Sequence, residues 1–153
     1  MTGSPTALAV YGTLRRGEPN ASLLSGARYL GTGRIAGCMR EMPQTAERAY
    51  AYPSLILGAA GEAGDACEVV IELYDAVDPD LLAVVDALEA FDPDDLAASE
   101  YVRRAVDVVE GPVATAWVYV YNGPAEAMGE MILDGDWVAH RVRARRASGL
   151  TRA

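Results

Sequence analysis

The stretch "AVYGTLRRGEPN", residues 9–20, decides how this chain is read. The apolar residues Ala7 to Val10 form a buried-strand pattern, taken here as a strand over 7–11, and Gly12 and Gly17 bracket the turn that follows. A glycine beside the hydroxyl of Thr13 at a strand end can present successive backbone N–H groups to a ligand. It can equally be an ordinary hairpin turn. Arg15 and Arg16 read as solvated loop charges, with the rim of a site as the alternative.

The chain has 153 residues, enough for one domain with a real hydrophobic core. The core is expected over about 7–124, with a C-terminal helix over about 135–147. Thirteen basic residues stand against 22 acidic ones, a net charge of −9, which opposes binding to nucleic acid or to an anionic membrane. No apolar run approaches the ~18 residues of a membrane span, and "MTGSPTALAVYG" lacks the basic-then-apolar order of a secretory signal. A cytoplasmic protein is expected. Its two cysteines, Cys38 and Cys67, lack metal-ligand spacing and are expected as reduced thiols, with a disulfide as the alternative. The five arginines of "HRVRARRASGLTR" read as a solvated helix end. His140, the single histidine, supports no triad or zinc site and reads as structural.

Working outward from the turn, strands are expected at 7–11, 34–39, 54–58, 67–74, 101–109 and 114–121. Helices are expected at 79–91 and 135–147, with a helical turn from Asn20 through Leu24 and a loop-rich segment over 40–53. Many strands and few helices indicate an α+β fold: a small mixed, mostly antiparallel β-barrel with flanking helices. In "ATAWVYVY", residues 114–121, Thr115, Trp117, Tyr119 and Tyr121 share one face. That face is either cross-strand aromatic packing or a pocket wall bearing hydroxyls.

"DPDLLAVVDALEAF" opens with Asp78 as N-cap and Pro79 at the first helical position. At roughly 100° per residue, Leu81, Leu82, Val84, Val85 and Leu88 make one apolar arc. Glu89 falls inside it, although Ala83, Ala87 and Ala90 leave room for a carboxylate on the other side. A carboxylate on a buried face costs desolvation unless it is paired or neutral, and a raised pKa suits a general base working near pH 7. The competing reading pairs Glu89 with Arg103 or Arg104. Asp94 and Asp95 read as an exposed loop.

Taken together, Tyr11-Gly12-Thr13-Leu14, Glu72-Leu73-Tyr74, Val85-Asp86-Ala87-Leu88-Glu89 and Tyr101-Val102-Arg103 resemble, in order, the motifs of the gamma-glutamylcyclotransferase-like family. The resemblance runs over about 8–121. It implies that Glu89 is the catalytic acid/base, that Tyr11, Gly12, Thr13 and Leu14 bind the gamma-glutamyl group of a small-molecule substrate, and that no metal or cofactor takes part. A homodimer is compatible with it. Two features depart from the pattern: Ala90 stands where a glycine usually follows the glutamate, and "DPDDLAAS" lengthens the segment before Tyr101. The reaction implied closes 5-oxoproline from a gamma-glutamyl amide and expels the amine. A non-catalytic small-molecule binding module on the same scaffold is the alternative, and an interaction domain using the arginine-rich tail a third.

Overall fold

The strand β1 (Ala7–Val10) is buried along its whole length, as an apolar run with no polar face requires. It lies at the centre of a five-stranded sheet. The computed structural model describes residues 5–18, 20–42, 52–57, 67–76, 78–123, 128–132 and 134–150, with side chains in the last helix to residue 143. Within these, β2 (Tyr29–Ala36), β3 (Cys38–Met42), β4 (Tyr52–Ile56) and β5 (Glu68–Asp75) precede α1 (Pro79–Leu88). Then come β6 (Tyr101–Asp107), β7 (Thr115–Tyr121) and α2 (Trp137–Leu150). The sheet order is β2-β5-β1-β7-β6, with β1 antiparallel to β5 and parallel to β7.

The two faces of the sheet bury two clusters. Ala7, Ala9, Ile71, Leu73, Ala116 and Val118 pack with Met39, Leu55 and the Trp137 of α2. On the other face Leu8, Val10, Tyr74 and Tyr119 pack with Leu24 and the Val85 of α1. The mixed, mostly antiparallel α+β architecture is as expected, but the sheet is not closed into the expected barrel. β3 and β4 form a separate two-stranded ladder from Cys38↔Ile56 to Met42↔Tyr52, with an isolated antiparallel bridge from Arg40 of β3 to Met131. The expected strand 34–39 is two strands meeting at Gly37 (φ +154°), where a Cβ would come within 2.8 Å of Leu55 Cδ1. Of the expected loop 40–53, residues 40–42 close β3 and residues 52 and 53 open β4, while 43–51 lie outside the described residues, as does 58 of the expected strand 54–58. No helix among the described residues is long and apolar enough to cross a membrane.

The cysteines correct a second expectation. Cys38 and Cys67 form a disulfide, their Cα atoms 5.3 Å apart. The Gly37 N–H donates to the Cys67 carbonyl at 3.0 Å, bringing the start of β3 against the approach to β5. The bond ties the small ladder to the main sheet.

α1 starts as expected, with the Asp78 side chain accepting from the Asp80 N–H at 2.9 Å, but stops at Leu88, three residues early. The Ala90 N–H donates to the Ala87 carbonyl (3.3 Å) and the Phe91 N–H to the Asp86 carbonyl (2.9 Å). This paired closure puts Ala90 in the left-handed region at φ +54°. Of the expected apolar arc, Val85 is fully buried while Val84 and Leu88 are exposed. Glu89 is therefore the helix's C-cap rather than a member of a continuous buried stripe. An alanine held left-handed costs about 1 kcal/mol that glycine does not pay. Ala90→Gly is expected to raise the thermal midpoint by roughly 2–4 °C in a melting experiment.

Candidate active site

Of the two arginines after the turn, Arg16 is exposed, as expected of a loop charge, while Arg15 is not solvated. Arg15 is buried: its Nε–H donates to Glu72 Oε2 at 2.8 Å and Nη1 to Asp136 Oδ1 at 2.9 Å. The Arg16 N–H donates to Glu72 Oε1 at 2.8 Å, while its guanidinium stacks 4.8 Å from the ring of Tyr29. Burial opposes the Arg15 charge, yet hydrogen bonds to Glu72 and Asp136 outweigh it and leave the guanidinium pKa above its ordinary value. The turn is thereby fastened to β5 and to the start of α2. Within it the Arg15 N–H donates to the Gly12 carbonyl, the Asn20 N–H to the Thr13 carbonyl, and Asn20 Nδ2 to Thr13 Oγ1. The N–H groups of Gly12, Thr13 and Leu14 have no acceptor among the described residues. Gly12 is needed for a reason invisible in the local sequence: a Cβ there would fall 2.5 Å from Pro53 Cγ.

This turn forms one wall of a cavity of about 160 Å³. Tyr11 to Leu14 line it from the turn, Tyr52 and Pro53 from β4, and Leu88 and Glu89 from the end of α1; Glu100, Tyr101 and Tyr119 complete the wall. All five residues singled out from the sequence, Tyr11, Gly12, Thr13, Leu14 and Glu89, thus meet in one place. Tyr11 contributes its ring, because its hydroxyl proton is donated to the Tyr119 carbonyl at 2.7 Å. Burial, then the Glu89 charge, keeps that phenol neutral, with its pKa well above the usual value. Leu14 turns its side chain into the core and offers only backbone.

Glu89 carries the most perturbed carboxyl of the site. Burial first, and then the charge of Glu100, raise its pKa from 4.5 to about 8. It has no ion pair among the described residues. Arg103, the expected alternative partner, instead donates to both oxygens of Asp86, at 3.0 and 3.1 Å, and Arg104 is exposed. The Tyr119 hydroxyl also donates to Asp86 Oδ1. Asp86, one turn before Glu89, therefore pins the end of α1 to β6 and β7, which fixes where Glu89 stands. The aromatic face of β7 serves both readings: Trp117 packs beneath Arg103 while Tyr119 lines the cavity.

Four further polar lining residues, Asn20, Tyr52, Glu100 and Tyr101, carry no site role in the sequence reading, although Tyr101 opens one of its motifs. The Tyr52 hydroxyl donates to Glu100 Oε2 at 2.7 Å, and Tyr101 shares a 2.7 Å hydrogen bond with Ser54 Oγ. The lengthened segment 92–100 is fastened rather than free. Ser99 Oγ donates to the carbonyl of Asp95 at 3.0 Å, and Asn122 Nδ2 to those of Leu96 and Ser99. His140 is 2.8 Å from Glu41 Oε1 and Arg141 pairs with Glu18, outside the cavity. No group of three or more His, Cys, Asp or Glu among the described residues could hold a metal.

The chain is similar to known proteins in sequence and in fold. The profile of the family described as "Gamma-glutamyl cyclotransferase, AIG2-like" matches residues 8–139. A Vibrio cholerae serotype O1 protein, provisionally called a gamma-glutamylcyclotransferase, is 35% identical over 129 residues, covering 84% of this chain and 91% of that one. The solution structure of protein ytfP from Escherichia coli superposes with a TM-score of 0.57 at 26% identity, over 88% of this chain and 98% of that one. An uncharacterised Pyrococcus horikoshii protein, at 21% identity, shares the fold with a TM-score of 0.64 over 93% and 98% of the two chains.

The Glu89 environment has a consequence for stability. With a folded pKa near 8 and an ordinary unfolded value near 4.5, the folded state holds the extra proton between those pH values. Stability contributed at this position is therefore present below pH 4.5 and lost as pH rises through 8. Glu89→Gln, which mimics the neutral acid, should match wild type at pH 4 and exceed it at pH 9 by roughly 2–4 kcal/mol in urea unfolding.

Proposed function

The chain belongs to the gamma-glutamyl cyclotransferase, AIG2-like family, and on that premise we propose that it cyclises a gamma-glutamyl amide to 5-oxoproline and releases the free amine. The observation that carries this reading is the Glu89 carboxyl, unpaired among the described residues and with its pKa raised to about 8, in the same cavity as the open N–H groups of the turn.

The substrate brings its own nucleophile. Its α-amine lies within reach of the side-chain carbonyl carbon through a five-membered ring, so holding the folded conformer supplies much of the acceleration. As ionised base, Glu89 takes a proton from the α-ammonium. The amine nitrogen then attacks the δ-carbon, and the carbonyl oxygen gains negative charge. The N–H groups of Gly12, Thr13 and Leu14 can donate to that oxyanion or to the substrate's α-carboxylate. Collapse breaks the amide C–N bond while protonated Glu89 returns its proton to the departing nitrogen, and the second proton of the ring nitrogen then passes through the same carboxylate to the freed amine, leaving the neutral lactam and an ammonium. One carboxyl acts first as base and then as acid, and a pKa near 8 suits both halves. Tyr11 supports the site as a neutral ring whose hydroxyl is bound to Tyr119.

Purified protein incubated with a panel of gamma-glutamyl amines and gamma-glutamyl amino acids should yield 5-oxoproline by chromatography. Glu89→Gln should fold and retain substrate binding while turnover falls at least ~100-fold. The wild-type kcat/KM should rise with pH through about 8 and then level, because only ionised Glu89 accepts the proton. Binding of 5-oxoproline without turnover of any substrate would instead indicate a binding module.

A further inference from the structure

Beyond its charge acting on Glu89, Glu100 is given no role in the reaction just described, yet it lines the same cavity. The Tyr52 hydroxyl holds one of its oxygens, Oε2, at 2.7 Å. The other has no partner among the described residues. Its backbone is fixed from both sides: the Glu100 N–H donates to the Ala90 carbonyl at 3.1 Å, and its carbonyl accepts from the Asn122 N–H at 2.8 Å. This is a positioned carboxylate rather than a swinging surface one.

The charge balance of the cavity is one-sided. Among the described lining residues the only ionisable acids and bases besides tyrosines are Glu89 and Glu100, and no Arg, Lys or His is among them. The nearby arginines are committed elsewhere, Arg15 to Glu72 and Asp136, and Arg103 to Asp86. Glu89 is occupied with the substrate's α-ammonium, and the turn supplies N–H donors for the carboxylate or carbonyl of the glutamyl part. That leaves one fixed negative charge, Glu100, with no counterpart in the gamma-glutamyl group itself. A second positive charge on the substrate would be matched there, and a second negative charge would meet a like charge at short range.

We propose that Glu100 is a specificity residue that selects the leaving group, favouring gamma-glutamyl amides whose departing amine bears a further ammonium group over those whose departing amine bears a carboxylate. This rests on the cyclotransferase reading. It alters no bond-making step: the α-nitrogen still bonds to the δ-carbon, the amide C–N bond still breaks, and the proton still passes through Glu89 to the departing nitrogen.

The test compares three conjugates of similar length, made by joining the gamma-carboxyl of glutamate to 1,4-diaminobutane, n-pentylamine and 4-aminobutanoic acid. 5-Oxoproline formation is followed for wild type and Glu100→Gln. Wild-type kcat/KM should fall in the order cationic, neutral, anionic, with at least about tenfold between the ends, and high salt should narrow the spread. Glu100→Gln, whose amide oxygen can keep the Tyr52 hydrogen bond, should bring the three values together near that of the neutral conjugate. Any change it makes to the strength of Glu89 acts on all three alike, so the ratios isolate the leaving-group effect, and turnover of the neutral conjugate reports that the variant is folded. Equal wild-type rates, a preference for the carboxylate, or a preference unaltered by Glu100→Gln would overturn the proposal. So would an equal loss on all three, which would place Glu100 on the shared gamma-glutamyl part. Failure of wild type to form 5-oxoproline from any conjugate at pH 9 would overturn the cyclotransferase reading and this inference with it.

Discussion

The buried pair of Glu72 and Arg15 is the contact on which the site depends. Glu72 is on β5, in register with Val10 of β1, and is almost wholly buried. Alone, such a carboxylate would cost several kcal/mol. It is matched by the Arg15 guanidinium on one oxygen and the Arg16 N–H on the other, both from the turn after β1. Arg15 reaches on to Asp136, whose side chain also accepts from the Ala139 N–H in the first turn of α2. One arginine therefore joins the central sheet, the turn and the last helix. With the arginine end of the turn fastened, the N–H groups of Gly12 to Leu14 remain in the cavity wall without an acceptor among the described residues.

Three carboxylates illustrate how environment divides their roles. Glu72 and Asp86 are compensated, by Arg15 and by Arg103 with Tyr119, and serve to hold elements in place. Glu89 has neither kind of help, so its neutral form is favoured at neutral pH. The cost of ionising it is what makes it useful: a carboxylate of ordinary acidity would be too weak a base to take a proton from an ammonium readily. Asp86 and Glu89, three residues apart at a helix end, thus form an anchor and a working group.

Much of this was legible in the chain. Apolar runs and period-two alternation marked β1, β5, β6 and β7, and Asp78-Pro79 marked the start of α1. The turn and the odd position of Glu89 were visible because each broke a local pattern. What was not legible depends on pairing across the fold. β2 begins at Tyr29, five residues before the expected strand, because its ladder with β5 carries glycines that no strand pattern favours; Gly33 packs against the backbone of Glu110. The burial of Arg15 needs Glu72 and Asp136, and the disulfide needs β3 and β5 already in place, so neither follows from spacing. Glu100 and Tyr52 are 48 residues apart and meet only through the tertiary structure. The end of α1 was misjudged for a physical reason: an alanine occupies the left-handed position where a glycine would have signalled the stop.

The central claim is that Glu89 is a neutral acid at rest, poised to exchange a proton near pH 8. The most direct measurement is a nuclear magnetic resonance titration of protein labelled with carboxyl-13C glutamate, with the Glu89 signal assigned by its loss in Glu89→Gln. The account predicts one glutamate carboxyl titrating near pH 8, far from the ordinary glutamates, and absent from the variant. A Glu89 signal titrating near 4.5 would contradict it, since a carboxylate already ionised at neutral pH would be too weak a base for the proton transfers assigned to it.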